Sequence, residues 1–394
     1  MSVVLGVMAL ATLLLALPTA VFAIQIFSAR AGAPMPSPSA PERPRTTVLV
    51  PAHNEEAGIL ETLRALRAQL RQGDRLVVVA DNCSDQTAQV AQAEGAEVLV
   101  RTNPDLRGKG YALDFGVEHL SHDPPQVLVI VDADCLAHPG TVDALVAACT
   151  AFDQPAQALN LMQASGDSLG QRMAEFAWRV RNQARPLGWQ CWGGPCPLMG
   201  TGMAFPWRLI IESALATGNL AEDMQLGVDL AIRGHPARLT PTALVTSRFP
   251  NTAAATRTQK TRWEHGHIST LLTSVPRLLK ASLEQRRWML LATALDLMVP
   301  PLALLTLLVA GAGILNVAVA GLLMGNWLLP SLSAATLLLL TVSVAIAWSR
   351  FGRDIVTLRE FLSVPWYVLS KLSIYVGFVF RRQTVWVRAK RDGE

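Results

Sequence analysis

Apolar residues follow two patterns along this chain. Residues 3–28, VVLGVMALATLLLALPTAVFAIQIFS, carry no charge, and they exceed the roughly 20 residues needed to cross a bilayer. Residues 289–349 form a second long apolar region with a single ionisable side chain, Asp296. Its length accommodates two long crossings or three short ones. Between these regions the apolar residues come in short runs: TTVLVPA (46–52), RLVVVAD (75–81), AEVLV (96–100) and QVLVIVDAD (126–134). Such runs read as strands buried on both faces. Helical stretches near 56–71, 85–94 and 109–121 separate them. The alternation predicts an α/β domain built on a mostly parallel, doubly wound sheet. In sheets of this kind ligands bind beyond the carboxyl ends of the strands.

The ends of the long apolar segments set their orientation. Segment 3–28 lacks the basic leading region and short core of a signal peptide, and the first basic residues follow it, at Arg30, Arg43 and Arg45. Positive charge on that side places the N-terminus outside and the next domain in the cytoplasm of a multi-pass, inner-membrane protein. The proline-rich AGAPMPSPSAPERPR then reads as an extended linker. The tail RRQTVWVRAKR is strongly basic and should also be cytoplasmic, so the number of C-terminal crossings should be even. Two are favoured and four are the alternative. GNWLLP (325–330) is the best turn between them and GAG (311–313) a second candidate. FLSVPWYVLSKLSIYVGFVF should lie along the interface, because Lys371 interrupts it. The expected organisation is a membrane helix over 1–29, a linker over 30–45 and a catalytic domain over 46–250. Interfacial helices over 251–288, membrane helices over 289–349 and an interfacial helix with basic tail over 350–394 complete it.

Composition supports this division. Of 394 residues 51% are hydrophobic and 16% charged, well below the quarter usual in soluble domains. A net charge of +4 gives no footprint for nucleic acid. The five cysteines, Cys83, Cys135, Cys149, Cys191 and Cys196, form no regular framework, and CWGGPC has no second pair to complete a zinc site. They read as reduced thiols.

The chemistry lies at the strand ends. The first strand closes in PAHNEE, where Asn54 can cap a helix and Glu55 faces the crevice. The second closes in ADNCSDQT, with Asp81 at its terminus and Ser84 or Asp85 available as a cap. The third closes in Asp132-Ala133-Asp134, two carboxylates whose mutual repulsion a divalent cation would cancel. Each alone is ordinary turn or cap chemistry. Three in one sheet point to an anionic ligand held through a metal. In DLRGKGYALDFG, Lys109 stands at a helix start between glycines, without the spacing of a P-loop, and could neutralise a diphosphate beside that metal.

Two further motifs follow. LAEDMQLGVDLAIRGH contains Glu222-Asp223, and QKTRW (259–263) matches QxxRW in full. In this order and spacing the motifs resemble the membrane-bound members of glycosyltransferase family 2, among them cellulose, hyaluronan and chitin-oligomer synthases, over residues 46 to 270. The resemblance implies a GT-A fold and an Mg²⁺ or Mn²⁺ cofactor, with Asp134 and Asp132 as its ligands. It implies a nucleotide-sugar donor, UDP-linked first, bound by Ala52, Glu55, Asp81, Lys109, Asp132 and Arg262. It makes Asp223 the catalytic base, with Glu222 beside it. Trp263 and the loop of Gly200, Thr201 and Gly202 would face the acceptor. The chain departs from the pattern in three places: Ala221 replaces a threonine, His53 a tyrosine, and His265 and His267 have no general counterpart. The two histidines read either as a polar helix face at the membrane surface or as a contact to the leaving diphosphate.

The resemblance implies inverting transfer of a hexosyl or N-acetylhexosaminyl group to a growing polysaccharide at the membrane. The alternative is a single sugar added to a lipid or lipid-linked acceptor. Few crossings favour the second, since three helices make a narrow channel unless the chain forms a homo-oligomer or recruits an export partner. A catalytically silent nucleotide-sugar sensor is the third reading, opposed by the intact Asp132, Asp134, Asp223 and Arg262.

Overall fold

The structure, a computed structural model, describes residues 2–30, 43–217, 221–250, 253–322 and 327–380. The expected linker, the first residues of the expected 325–330 turn and the basic tail fall largely outside them. The chain forms two compact units.

One unit is an α/β domain around an eight-stranded sheet of order β3-β2-β1-β4-β7-β6-β8-β5. Strands β1 (Thr46–Ala52), β2 (Arg75–Asp81), β3 (Glu97–Arg101) and β4 (Val127–Ile130) are parallel. They coincide with the apolar runs because both faces are covered. Val48, Val50, Val78 and Val129 enter the core beneath helices α2 (Ile59–Arg67), α3 (Thr87–Ala93) and α5 (Thr141–Phe152). Leu49, Val77, Val79, Leu128 and Ile130 enter the opposite core, under α4 (Lys109–Leu120), α8 (Trp207–Ile210) and α9 (Glu222–Ile232). The second half of the sheet is mixed. β7 (Met203–Pro206) runs antiparallel to β4 and to β6 (Ala156–Gln163), and β8 (Arg238–Arg248) runs parallel to β6 across a bulge at Ala158/Leu159. The two-residue β5 (Leu136–Ala137) pairs antiparallel with β8 at the far edge. The acidic loop after β4 is thereby anchored at both ends.

The other unit joins three separated stretches: the N-terminal helix, residues 164–194, and the chain from 253 onward. This corrects the continuous 46–250 domain. Helix α6 (Leu169–Arg179) passes through a π-helical turn, Val180–Ala184, into α7 (Arg185–Gln190). Met173, Phe176, Val180 and Trp189 of this stretch share one core with Val21, Phe22 and Ile26 of α1 (Ser2–Ser28). Among the described residues three helices are long and apolar enough to cross a membrane: Val4–Ser28 within α1, α12 (Leu302–Leu322) and α13 (Leu328–Phe351). The GAG candidate turn lies inside α12, where three small residues without proline leave the helical ladder intact. The helix α10 (Ala253–Gln285) and the short α11 (Trp288–Leu297) precede the second crossing. The segment after α13 divides into α14 (Leu358–Phe361), α15 (Val364–Ser370) and α16 (Leu372–Phe380), with its last break at Lys371.

Polar groups tie the crossings together. The Asn316 amide of α12 donates to Thr12 Oγ1 of α1 at 3.0 Å and to Ser333 Oγ of α13 at 2.7 Å, and all three residues are buried. Arg350 at the end of α13 donates to the carbonyls of Ile26, Phe27 and Ala29 at 2.8–3.1 Å, capping the end of α1. The C-terminal ends of α1 and α13 therefore lie on the same side, as an even number of C-terminal crossings requires. Asp296, expected in an apolar span, sits instead on α11, where its carboxylate accepts from Gln25 at 2.7 Å and from Arg185 at 3.0 Å. Interhelical hydrogen bonds in membranes contribute about 0.6–1.7 kcal/mol each. Asn316→Leu should accordingly lower the thermal midpoint of the detergent-solubilised protein through a loss of about 1–2 kcal/mol, with nucleotide binding unchanged. An unaltered midpoint would show that the amide does not hold the three helices.

Candidate active site

Four loops at the carboxyl ends of β1 to β4 build the site. The first two are laced together. The Glu55 N–H donates to Thr87 Oγ1 at 2.7 Å, and the His53 ring meets the Asp81 carbonyl at 2.7 Å. Asn54 does not cap α2, which begins after Gly58 without a side-chain cap. Asn54 has a left-handed backbone (φ 53°) and accepts from the Ser84 N–H at 2.7 Å, fastening one loop to the next. Asp85 accepts from the Thr87 N–H at 3.0 Å at the start of α3. Ala52 is buried in the core beneath these loops, so its methyl lines no open pocket.

Asp81 is buried, and its Oδ1 accepts from Arg101 at 2.5 Å and from Asn82 at 3.0 Å. Arg101 closes β3, donates also to the Leu106 carbonyl at 2.9 Å, and lies 5.6 Å from the Tyr111 ring centre. Sequence reasoning overlooked this arginine. The signal was present, since EVLVR is a fourth apolar strand closed by a charged residue.

The acidic pair leaves the centre of the sheet. The Asp132 N–H donates to Thr201 Oγ1 at 3.0 Å, the Ala133 carbonyl accepts from Thr62 at 2.9 Å, and the Cys135 N–H returns to the Asp132 carbonyl at 3.1 Å. Ligand atoms of Asp132, Asp134 and Cys135 lie within 4.8 Å of one another. Burial, with Asp134 and Asp132 beside it, pushes the Cys135 thiol well above its usual range, which leaves the two carboxylates as the donor set. Hard oxygen donors suit Mg²⁺ or Mn²⁺. Burial also pushes the Asp132 carboxyl up, reinforced by Asp134 and Asp223 against the pull of Lys109. A cation bound at the pair would offset both the burial of this carboxylate and the charge of its acidic neighbours.

Lys109, first residue of α4, bridges two loops: it forms an ion pair with Asp132 and donates to the Gly200 carbonyl at 2.6 Å. Burial opposes its charge, but Asp132, Glu222 and Asp223 outweigh burial and hold the ammonium pKa above its ordinary value. Glu222 and Asp223 occupy the first turn of α9, where the helix dipole favours carboxylates. A Cβ on Gly200 would lie 3.4 Å from Asp223 Oδ2 and 3.8 Å from Lys109 Nζ, so this loop backs directly onto the acid pair.

The glycine loop corrects an expectation. Thr201 is buried and Gly202 is packed away from solvent, so neither faces an acceptor. Thr201 braces Asp132, and its carbonyl accepts from Gln157 at 2.9 Å. Gly202 has φ +64°, and a Cβ there would meet Val245 Cγ2 at 2.8 Å and Ala158 Cβ at 2.9 Å. Only a glycine permits packing this close at position 202.

Lys109, Asp132, Asp134, Gly200, Glu222 and Asp223 thus come together, with Asp81 and Glu55 in adjoining loops. Arg262 and Trp263 belong to the membrane unit, on α10, where the Trp263 ring packs 4.5 Å from that of Trp178. His265 and His267 are both buried, which excludes an exposed polar face. The π-helical turn and Thr62 carried no motif in the sequence.

Burial, followed by Asp223, raises the Glu222 pKa from 4.5 to about 7 despite Lys109. Between those values the folded protein holds a proton that the unfolded chain releases. The stability contributed by this group is complete below pH 4.5 and is lost as pH rises through about 7. In EDTA, the thermal midpoint of Glu222→Gln should therefore fall less from pH 5 to pH 8 than that of wild type. Equal falls would contradict the assignment.

Residues 44–266 match the family model described as glycosyltransferase like family 2. The probable glycosyltransferase YdaM of Bacillus subtilis is 30% identical over 254 residues, covering 57% of this chain and 56% of that protein. The low-salt glycan biosynthesis hexosyltransferase Agl6 of Haloferax volcanii is 35% identical over 96 residues, 23% of this chain and 21% of that one. The chain thus spans about half or less of the length of these relatives. The mannosyltransferase PcManGT of Pyrobaculum calidifontis, solved with GDP-mannose and Mn²⁺, superposes with a TM-score of 0.54 at 18% identity, over 86% of this chain and 98% of that one. At that identity the likeness is one of fold, and the fold is GT-A. With the family model covering more than half of its length and the acidic loop, lysine and Glu-Asp pair gathered at one end of the sheet, this chain belongs to glycosyltransferase family 2.

Proposed function

We propose that the chain transfers a single glycosyl residue, with inversion, from a nucleoside diphosphate sugar to a lipid-anchored acceptor at the cytoplasmic face of the cell membrane. The observation that carries the transfer chemistry is the convergence of Asp132, Glu222 and Asp223 on Lys109, with Asp134 beside Asp132. Asp134 and Asp132 would hold a divalent cation, as oxygen donors suited to Mg²⁺ or Mn²⁺. Bound there, the cation supplies positive charge to the departing diphosphate. Lys109 adds a fixed charge to the same group, and preorganised charge of this kind is worth about 3–4 kcal/mol per donor. Arg262 is assigned to the diphosphate on the QxxRW match alone, and Trp263 to the acceptor on the same ground. Asp81, aligned by Arg101, is placed to accept from a nucleobase N–H.

Asp223 acts as general base. It takes the proton of an acceptor hydroxyl while that oxygen bonds to the anomeric carbon, and the bond from that carbon to the diphosphate oxygen breaks. No other carboxylate is assigned as nucleophile, which supports inversion. Glu222, with its pKa raised to about 7, carries only part of a negative charge beside the base at neutral pH.

The lipid acceptor is favoured over a growing polysaccharide by the membrane helices. The three candidate crossings close on one another around Asn316. Their outer faces, with Leu14, Ile314 and Leu338 exposed, are apolar. Closure of the three described helices on a shared hydrogen-bonded centre supports addition of a single sugar over extrusion of a polymer.

Membranes containing the enzyme, given labelled UDP-glucose, UDP-GlcNAc, UDP-galactose and GDP-mannose in turn, should yield one organic-soluble product from one donor. Asp223→Asn should still bind that donor and transfer at least about a hundredfold more slowly. A ladder of water-soluble products would favour the polysaccharide synthase, and wild-type turnover by Asp223→Asn would remove it as the base.

A further inference from the structure

The QxxRW helix is gripped by a part of the chain that the transfer chemistry does not use. Glu264, next to Trp263, forms an ion pair with Lys371, and both side chains are largely buried. Lys371 is the only charged residue between Phe361 and Phe380, and it stands at the break between α15 and α16. Its ammonium also lies 5.6 Å from the Tyr367 ring centre. One residue along, the buried His265 ring meets the Ile374 carbonyl at 3.1 Å and packs edge-on against Phe378 at 5.1 Å. On the other side, Trp263 packs against Trp178 of α6. Three consecutive residues of α10 are therefore fixed in direction from two sides.

A buried ion pair gives little net stability over an apolar pair of similar volume. It does impose a direction, because two buried charges tolerate only the geometry in which they meet. Direction matters here. A rotation of α10 by about 10° would swing a guanidinium about 8 Å from the helix axis by more than about 1 Å. A misplacement of about 1 Å can lose about a hundredfold in rate.

We propose that the C-terminal interfacial segment is a positioning clamp for the QxxRW residues. In this arrangement Glu264, His265 and Lys371 set the rotation of α10 that aims Arg262 and Trp263. None of the three touches the reacting atoms; they are positioning residues. The clamp rests on the glycosyl-transfer reading and extends it, making the segment after the last membrane crossing part of the catalytic apparatus.

The test uses the purified full chain in lipid nanodiscs, with nucleoside diphosphate release giving kcat and donor KM, and thermal midpoints measured alongside. Glu264→Lys and Lys371→Glu should each lower kcat at least tenfold with donor KM within threefold of wild type. The exchanged pair, carrying both substitutions, should return kcat to within threefold. Single variants with wild-type kcat, or an exchanged pair that recovers its midpoint without its kcat, would overturn the clamp. Should the single variants fail to fold, the neutral pair Glu264→Gln with Lys371→Met decides. A fivefold or greater loss of kcat at an unchanged midpoint supports the clamp, and wild-type kcat overturns it. Absence of any release by wild type would overturn the transfer reading and the clamp with it, whereas active wild type with indifferent variants overturns the clamp alone.

Discussion

Three carboxylates, Asp132, Glu222 and Asp223, meet the Lys109 ammonium at the end of this sheet, with Asp134 beside Asp132, and the arrangement depends on the scaffold beneath it. Asp132 and Lys109 pair directly, Lys109 reaches on to the Gly200 carbonyl, and Asp223 lies against Gly200. Burial first, and the neighbouring carboxylates after it, raise the Asp132 and Glu222 pKa values, and the same carboxylates keep Lys109 charged. An isolated turn could not hold such groups together. Here the acidic loop is anchored between a central strand and an edge strand, and braced by Thr62, Thr201 and its own backbone turn.

Much of this was legible in the chain. β1 and β2 match their apolar runs residue for residue, because strands buried on both faces need uninterrupted Val and Leu. The three long apolar helices were legible because a span that must cross lipid needs length without charge. The mixed half of the sheet was not. β6, AQALNLMQ, lacks β-branched residues, β5 has two residues, and β8 contains a proline. The assignment of residues 164–194 to the membrane unit was equally hidden, since their apolar face finds its partners in α1 and α13, far away in sequence. The role of Thr201 was not legible, because the resemblance assigned its loop to the acceptor and nothing in the motif shows Gly202 packing against Ala158 and Val245.

Several polar groups of the membrane unit pair across helices. Asn316 joins three crossings, Arg350 caps the end of α1, Arg185 and Gln25 meet Asp296, and Lys371 meets Glu264. In an apolar medium such contacts specify which helices meet and in what register more than they add to stability.

The central claim is that the acidic pair grips a nucleoside diphosphate through a cation. Calorimetric titration of UDP and GDP into wild type and Asp134→Ala, each with Mn²⁺ and with EDTA, tests it most directly. Wild type should bind one of the two nucleotides at least tenfold more tightly with Mn²⁺, and Asp134→Ala should show no such gain. Binding by wild type that is indifferent to Mn²⁺, or a full Mn²⁺ effect in Asp134→Ala, would contradict the account.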